Sequence, residues 1–259
     1  MKKALIVLEK EWLELRLQRA LLLATIFLPV VITALAIVVF FAAGRFSGNV
    51  NTTGVPLPPE LASLSPLELA QAIVGRQFSV LLLLLPVFVP TVLASYAIVG
   101  EKRERTLEPV LATPVETWEL LLGKALAALI PALAITVAAA AVFVTGILAF
   151  AVSDRVREVV VTSGWIIAVL VDTPLLALIG VALIVVLSSR VNDPRTAQQI
   201  SAVLIVPVLL LLFGQLAGVI VLGPALALGI GVLLAIVAAV ALWIATRLFQ
   251  REVILTRWR

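Results

Sequence analysis

The sequence contains no cysteine and no histidine. Without cysteine, the chain can form no disulfide bond and offers no thiol chemistry. Without histidine, it lacks the usual general base and the commonest metal ligand. We therefore expect neither a metal site nor a catalytic site, because a hydrolase built on serine or aspartate would need partners that the sequence does not show.

A phosphate-binding loop of the form G-x-x-x-x-G-K-[ST] is also missing, so the chain is not expected to bind ATP by that route. Charge is scarce as well. Charged residues make up 13% of the chain against 63% hydrophobic residues, and the mean hydropathy is +1.21. This composition exceeds what a water-soluble domain can bury in one core, and it indicates an integral membrane protein.

Six runs with few or no charges predict an all-α fold with six transmembrane helices. A helix rises ~1.5 Å per residue, so about 20 residues cross the ~30 Å hydrocarbon core. The first run is too long, and begins too late, for a cleaved signal peptide. Residues 1–259 are expected to form a single transmembrane domain, with spans at residues 21–43, 78–99, 125–152, 164–187, 200–222 and 224–246.

The distribution of basic residues predicts the orientation of these spans. If the N-terminus is cytoplasmic, 15 of the 19 Lys and Arg residues lie on the cytoplasmic side. Cytoplasmic segments of membrane proteins carry an excess of Lys and Arg. We therefore expect a multi-pass protein with both termini in the cytoplasm, and we assign the net charge of +4 to orientation and not to nucleic-acid binding.

Residues 2–19 predict an interfacial helix ahead of the first span. One apolar stripe follows helical spacing, formed by Leu5, Leu8, Trp12 and Leu15. Other apolar residues fall on the opposite side, namely Ile6, Leu13 and Leu17. The helix is therefore either sandwiched between lipid and a second protein surface or only a basic anchor for the first span.

Local signals mark the ends of several helices. Within the extracytoplasmic segment 44–77, Ser65, Pro66 and Glu68 form a capping box that predicts a short external helix. Asp193 before Pro194 predicts the start of the fifth helix. The turn between spans five and six is little more than Gly223 and Pro224, so we expect those two helices to be antiparallel neighbours.

Asp172 is the one acidic residue in the middle of a predicted span. A central Asp costs about 2.5–3.5 kcal/mol on insertion scales, and the many apolar residues of span four offset that cost. A carboxylate inside the membrane is a candidate for a translocation path or an ion-coupling site. The alternative is that its side chain caps the backbone that Pro174 disturbs.

The most charged part of the chain is residues 100–124, a cytoplasmic elbow between spans two and three. Glu101 and Arg105 are spaced to pair along a helix. A small apolar face follows, formed by Leu107, Val110 and Leu111. Leu107 lies just before Pro109, and the other two residues lie between Pro109 and Pro114. The positive-inside rule accounts for the charges, but it does not account for this apolar face.

The stretch GEKRERTLEPVLATPVETWELLLGKAL resembles the signature of the ABC type-two exporter permeases. That signature is roughly Glu-Lys-Glu-x-Gly-Thr-Leu-Glu-x-Leu-Leu-x-x-Pro, with Gly-Lys at the start of the third span. Arg105 stands where Gly is usual, and Pro109 is unusual. The residues that match or nearly match are Glu101, Lys102, Arg103, Thr106, Leu107, Glu108, Leu111, Pro114, Gly123 and Lys124.

The resemblance implies an ATP-driven exporter in the inner or plasma membrane of a prokaryote. In that family two permease chains pair, as a homodimer or with a close paralogue, and form the translocation path. Each presents its elbow as a coupling helix to a separate ABC ATP-binding subunit, present in two copies. ATP and Mg would be bound by that partner, so no cofactor is expected in this chain.

The resemblance also assigns roles to residues of this chain. The helix at residues 2–19 corresponds to the family's connecting helix, with Leu5, Leu8, Trp12 and Leu15 as its candidate contact residues. The residues implied to couple to the ATP-binding subunit are Glu101, Lys102, Arg103, Thr106, Leu107, Glu108, Val110, Leu111 and Pro114.

A different class of function also fits part of the sequence. The chain could be an ion-coupled carrier or channel that uses Asp172. The lack of other charges in the spans and the absence of a visible inverted repeat argue against that alternative. The transported substrate is not indicated, because the apolar spans suit a lipid or an amphipathic molecule but exclude few other cargoes.

Overall fold

The computed structural model describes residues 2–46, 58–101, 116–188, 191 and 193–248. All regular structure in these residues is helical, and six helices are long and apolar enough to cross a membrane. The prediction of an all-α membrane fold with six spans is confirmed. The spans are Arg19–Phe46, Pro66–Gly100, Thr117–Phe150, Ser163–Ser188, Pro194–Leu216 and Pro224–Leu248, which we number one to six.

The described residues form three further helices outside the spans. The N-terminal helix, Lys2–Leu17, precedes span one, and the short helices Pro59–Ala62 and Asp154–Val160 flank the other side of the bundle. We call the side of the bundle that carries the N-terminal helix the N-helix side, and the other the far side. Spans one, three and five run from the N-helix side to the far side, and spans two, four and six return.

The predicted caps are present. Ser65 Oγ accepts a hydrogen bond from the Glu68 N–H at 3.4 Å, and Glu68 Oε2 accepts one from the Ser65 N–H at 2.9 Å. Asp193 Oδ2 accepts a hydrogen bond from the Thr196 N–H at 3.1 Å. Each cap satisfies backbone donors that the first helical turn leaves free, and each is followed by a proline in that turn.

Span two differs from its prediction. It begins at Pro66, so the predicted short external helix and the predicted span at residues 78–99 are one continuous helix of 35 residues. The physical reason is that the far-side part of this helix is buried in protein. A Cβ atom added at Gly75 would lie 2.6 Å from Val160 Cγ2 and 3.1 Å from Phe40, so neighbours on both sides enclose the helix.

The connection between spans five and six also differs. Span five ends at Leu216, and the chain turns through Gly218, whose φ is 69°. Span six packs along span four through small residues and does not pack along span five. The prediction that spans five and six are neighbours is therefore wrong, because residues 217–223 form a longer turn than the Gly-Pro pair suggested. The buried small residues of span six are Ala227, Gly231, Ala238 and Ala245.

Span two is the central helix of the bundle. In its most apolar stretch 78% of the residues are buried, against 28% in span one, 11% in span five and 17% in span six. These three outer spans therefore present apolar faces to lipid or to another chain. Among the described residues, the two larger apolar cores surround span two. The far-side core includes Phe40, Phe143, Ile147 and Trp165, and the N-helix-side core includes Leu93, Ile98, Ala128 and Ile184.

Gln71 joins three helices on the far side. Its Nε2 donates hydrogen bonds to the carbonyl oxygens of Phe40 at 3.2 Å and Phe150 at 2.9 Å. Its Oε1 accepts one from the Val152 N–H at 2.9 Å. The side chain is fully buried, and it satisfies backbone groups near the ends of spans one and three.

Replacing Gln71 with Ala is expected to destabilise the protein by about 1–3 kcal/mol, because buried backbone groups lose their partners. Thermal unfolding of the purified protein in detergent measures this as a lower midpoint. Gln77→Ala, in the half-buried next part of the same helix, is the matched control and should unfold near the wild-type temperature. Equal midpoints for the two variants would contradict the role of Gln71.

Candidate functional site

The N-terminal helix packs directly on the start of span three. A Cβ atom added at Gly123 would lie 2.7 Å from Val7 Cβ and 2.8 Å from the Ala4 carbonyl oxygen. Only glycine leaves room for this approach, so the Gly-Lys pair of the sequence signature begins with a packing requirement. The contact brings the next residue, Lys124, beneath the N-terminal helix.

Lys124 is almost completely buried, with 1% of its side chain exposed. Its Nζ lies 2.6 Å from Glu11 Oε1 and 2.6 Å from Glu101 Oε2. It also donates a hydrogen bond to the Ala97 carbonyl oxygen at 2.7 Å. Lys124 Nζ therefore has three oxygen partners, Glu11 and Ala97 through hydrogen bonds and Glu101 through an ion pair. The N-terminal helix, the end of span two and the start of span three are thereby joined at one atom.

Lys10 supports the same arrangement from the edge. Its Nζ hydrogen-bonds to Glu101 Oε1 and lies 3.2 Å from Glu11 Oε1 and 3.0 Å from Glu14 Oε1. About a third of the Lys10 side chain is exposed, so this lysine is the solvent-side member. We call Lys10, Glu11, Glu14, Glu101 and Lys124 the charge cluster.

The environment of the charge cluster changes the affinity of its members for protons. Burial raises the pKa of Glu11, against the attraction of Lys124. Burial also opposes ionisation of Glu101, but the charge of Lys124 and the hydrogen bond from Lys10 outweigh it and lower the pKa of Glu101. Partial burial opposes the charge of Lys10, yet its hydrogen bond to Glu101 and the charge of Glu11 raise its pKa. Glu101 is therefore the carboxylate that the two lysines stabilise most.

The carboxylate oxygens of Glu11, Glu14 and Glu101 lie within 4.8 Å of one another, a spacing that could suit a metal ion. Here two lysines, Lys10 and Lys124, already pair with these three carboxylates. A cavity of about 190 Å³ adjoins the charge cluster, and its lining includes Glu11, Glu14 and Glu101 together with apolar residues such as Leu93 and Ala127. The geometry is that of an internal ion-pair network beside an interfacial cavity.

The charge cluster lies at both ends of the predicted elbow. Within the elbow, the described residues stop at Glu101 and resume at Glu116, whose N–H donates a hydrogen bond to Glu119 Oε2 at 3.4 Å at the start of span three. Of the residues predicted to couple, only Glu101 is described. The others lie outside the described residues, namely Lys102, Arg103, Thr106, Leu107, Glu108, Val110, Leu111 and Pro114. Their docking role stays a prediction.

The N-terminal helix buries a different line of residues from the predicted stripe. Ala4, Val7 and Glu11 are buried. In the predicted stripe Leu5 is 55% exposed, whereas Leu8, Trp12 and Leu15 are half-buried at the edge of the contact. Ile6, Leu13 and Leu17 are exposed, so the helix keeps an apolar surface away from the bundle.

Glu11 and Lys10 did not stand out in the sequence, because a charge on an interfacial helix is ordinarily placed in solvent. Glu11 follows Ala4 and Val7 at helical spacing on one face. The sequence did contain a signal for this ion pair. It places a carboxylate on the small-residue face of the N-terminal helix and a lysine at the start of an apolar span. The 113 residues that separate Glu11 from Lys124 make the pairing invisible to local patterns.

Asp172 lies well away from the charge cluster. It ends a π-helical turn, Ala168–Asp172, and about 24 Å of helix separates it from the N-helix-side end of span four. The side chain is buried, and its Oδ1 has no hydrogen-bond partner among the described residues. The neighbouring Thr173 hydroxyl is also buried without a partner there. The two predicted sites, coupling end and mid-membrane carboxyl, are therefore separate.

The comparisons with known proteins place the chain among transporters. A family profile described as ABC-2 family transporter protein matches residues 5–250, almost the entire chain. The match includes the N-terminal helix from Leu5 onward, all six spans and both ends of the elbow. A comparison with individually curated proteins gives no significant match.

Replacing Lys124 with Met is expected to destabilise the protein by about 3–5 kcal/mol, because Glu11 and Glu101 are left buried without their shared cation. Lys10→Met, at the exposed edge, removes a better-hydrated charge and should cost less. Thermal unfolding in detergent compares the two variants. If Lys10→Met lowers the unfolding midpoint more than Lys124→Met does, then Lys124 is not the central cation.

Replacing Gly123 with Leu should displace the N-terminal helix from span three. The absence of native cysteine allows a single reporter, Ala4→Cys, whose position is 3% exposed in the wild-type chain. Maleimide should label this cysteine about tenfold faster when Gly123→Leu is present, because the contact opens. Gly229→Leu is the control, since no atom lies within 4 Å of its added Cβ. Equal labelling rates in both backgrounds would show that the close approach is dispensable.

Proposed function

The chain belongs to the ABC-2 transporter family and is a transmembrane permease of an ABC transporter, and we propose that it is the membrane half of an ATP-driven exporter. In this proposal two permease chains form the translocation path. Two copies of a separate ATP-binding subunit supply the energy. The absence of a phosphate-binding loop in the chain supports this division of labour.

The observation that carries the proposal is the charge cluster at the root of the elbow. A force applied to residues 102–115 would reach Glu101 on one side and span three on the other. Lys124 binds both of these to Glu11 of the N-terminal helix. Because buried ion pairs are costly to separate, the three segments would move together when the partner pushes or pulls the elbow.

The direction of coupling follows from orientation. We infer that the N-helix side is cytoplasmic, since the positive-inside rule favours it and ATP is a cytoplasmic substrate. The elbow would then face the ATP-binding subunit, with Leu107, Val110 and Leu111 as its docking face and Lys102, Arg103, Thr106, Glu108 and Pro114 around it. ATP and Mg would be held in the partner alone. The exposed apolar residues of the N-terminal helix, among them Leu13 and Leu17, would rest on lipid or the same partner.

Pairing of two permease chains is supported by the outer spans. Spans one, five and six leave most of their apolar surface uncovered within one chain. Part of this surface faces lipid, and the remainder is available to a second copy or a close paralogue. We place this assembly in the cell membrane of a prokaryote.

The second candidate function is an ion-coupled carrier or channel. It is favoured by the buried carboxyl group of Asp172, whose Oδ1 has no hydrogen-bond partner among the described residues. Reconstitution of the chain without any ATP-binding subunit separates the two. Transport driven by an ion gradient alone would support the carrier. Transport that requires ATP and the partner would support the exporter.

Replacing both Leu107 and Leu111 with Ser is expected to uncouple the transporter, because the partner loses its apolar contact with the elbow. In proteoliposomes that contain both subunits, ATP-dependent transport should fall about tenfold or more, which corresponds to about 1.4 kcal/mol of lost coupling. Glu108→Lys should act in the same direction. The chain alone should hydrolyse no ATP.

Val219→Ser is the control, because Val219 is 79% exposed on the far side, away from the elbow. It should transport as well as the wild type. Full ATP-dependent transport in the Leu107 and Leu111 variant, with that variant correctly inserted, would contradict the assignment of this face.

A further inference from the structure

The middle of span four holds a carboxyl group that the coupling mechanism does not use. Asp172 is 3% exposed, and its Oδ1 has no hydrogen-bond partner among the described residues. It ends the π-helical turn Ala168–Asp172. Such turns are rare in proteins as a whole, but many of those that occur lie at functional sites. An ionised carboxylate in such a place would face apolar surroundings without a counter-ion.

Among the described residues, no Lys or Arg side chain lies near Asp172. On span six, which packs on this part of span four, the only titratable group is Arg247, about 24 Å of helix beyond Gly231. The charged groups of the other neighbouring helices sit at the two ends of the bundle. They are Glu68 and Arg76 of span two, Glu119 and Lys124 of span three, Arg195 of span five, and Asp154, Arg155, Arg157 and Glu158 of the short far-side helix.

Span six closes directly over the carboxyl group. A Cβ atom added at Gly231 would lie 2.9 Å from Asp172 Oδ1 and 3.2 Å from Val171 Cγ1. Glycine is therefore the residue that lets span six approach this oxygen. The contact leaves no space for a hydrated metal ion or an organic cation between the two helices, whereas a proton needs none.

We propose that Asp172 is a proton-binding site that Gly231 of span six closes. In the packed arrangement the carboxyl group is neutral, because an unpaired charge in a low-dielectric interior is strongly disfavoured and the group takes up a proton instead. When spans four and six separate and water enters, the O–H bond breaks, the proton passes to water and a carboxylate remains. The permease would thus exchange this proton only in conformations that open the contact between spans four and six.

This site goes beyond ATP-driven export, and its test needs neither the partner subunit nor a cargo. Infrared spectra of the full chain in lipid nanodiscs at pH 7 are compared between the wild type and Asp172→Asn, a change of nearly equal size. The wild type should show the C=O stretch of one protonated carboxyl group that the variant lacks. Asp154→Asn, whose side chain is 85% exposed, should leave that band unchanged.

The outcome that overturns the proposal is equally specific. If Asp172→Asn removes the bands of an ionised carboxylate and no protonated C=O band, then Asp172 is charged in the packed state. Circular dichroism of the variant in the same nanodiscs establishes that it is folded, so that a difference in the spectrum belongs to the carboxyl group.

The closure by span six is tested by Gly231→Ala. The added methyl group presses on Asp172 Oδ1, so the C=O band should shift and its exchange in D₂O should become about tenfold faster. Gly229→Ala is the matched control two residues earlier, where no atom lies within 4 Å of the added Cβ. If the two variants exchange at the same rate, span six does not close the site.

Discussion

The N-helix side of the bundle depends on one buried ammonium group. Lys124 can lie beneath the N-terminal helix because three oxygens surround its ammonium group, from the carboxylates of Glu11 and Glu101 and the Ala97 carbonyl. Buried cations are tolerated when they are paired and fully hydrogen-bonded. Gly123 supplies the space that this arrangement requires. The Gly-Lys pair at the start of span three therefore has a physical explanation in both of its residues.

The two sides of the bundle are held together by different chemistry. On the far side, the neutral amide of Gln71 satisfies backbone groups of spans one and three, and apolar packing around Phe143 and Trp165 surrounds it. On the N-helix side, charged groups from three segments are joined at one point. Span two passes through both regions and is the most buried span, so it is the helix through which a change at one side would reach the other.

The features predicted from the sequence were those encoded within a few residues. The number of spans follows from apolar length, and the caps at Ser65 and Asp193 follow from local turn chemistry. The far-side extension of span two could not be predicted in this way, because its burial depends on Val160 and Phe40 from elsewhere in the chain. The packing of span six on span four and the pairing of Glu11 with Lys124 are long-range in the same sense. The sequence signature predicted the position of the elbow. The structure adds that residues at its two ends, Glu101 and Lys124, are joined in the charge cluster.

The central claim is that the N-terminal helix and span three move as one body during the transport cycle. Spin labels on the otherwise cysteine-free chain at Leu5→Cys and Leu122→Cys, both exposed positions on these helices, report the distance between them. The measurement compares the assembled transporter in its nucleotide-free and ATP-bound states. We predict the same narrow distance distribution in both states. A shift or a broadening on ATP binding would contradict the claim, because it would show that the charge cluster opens when the transporter works.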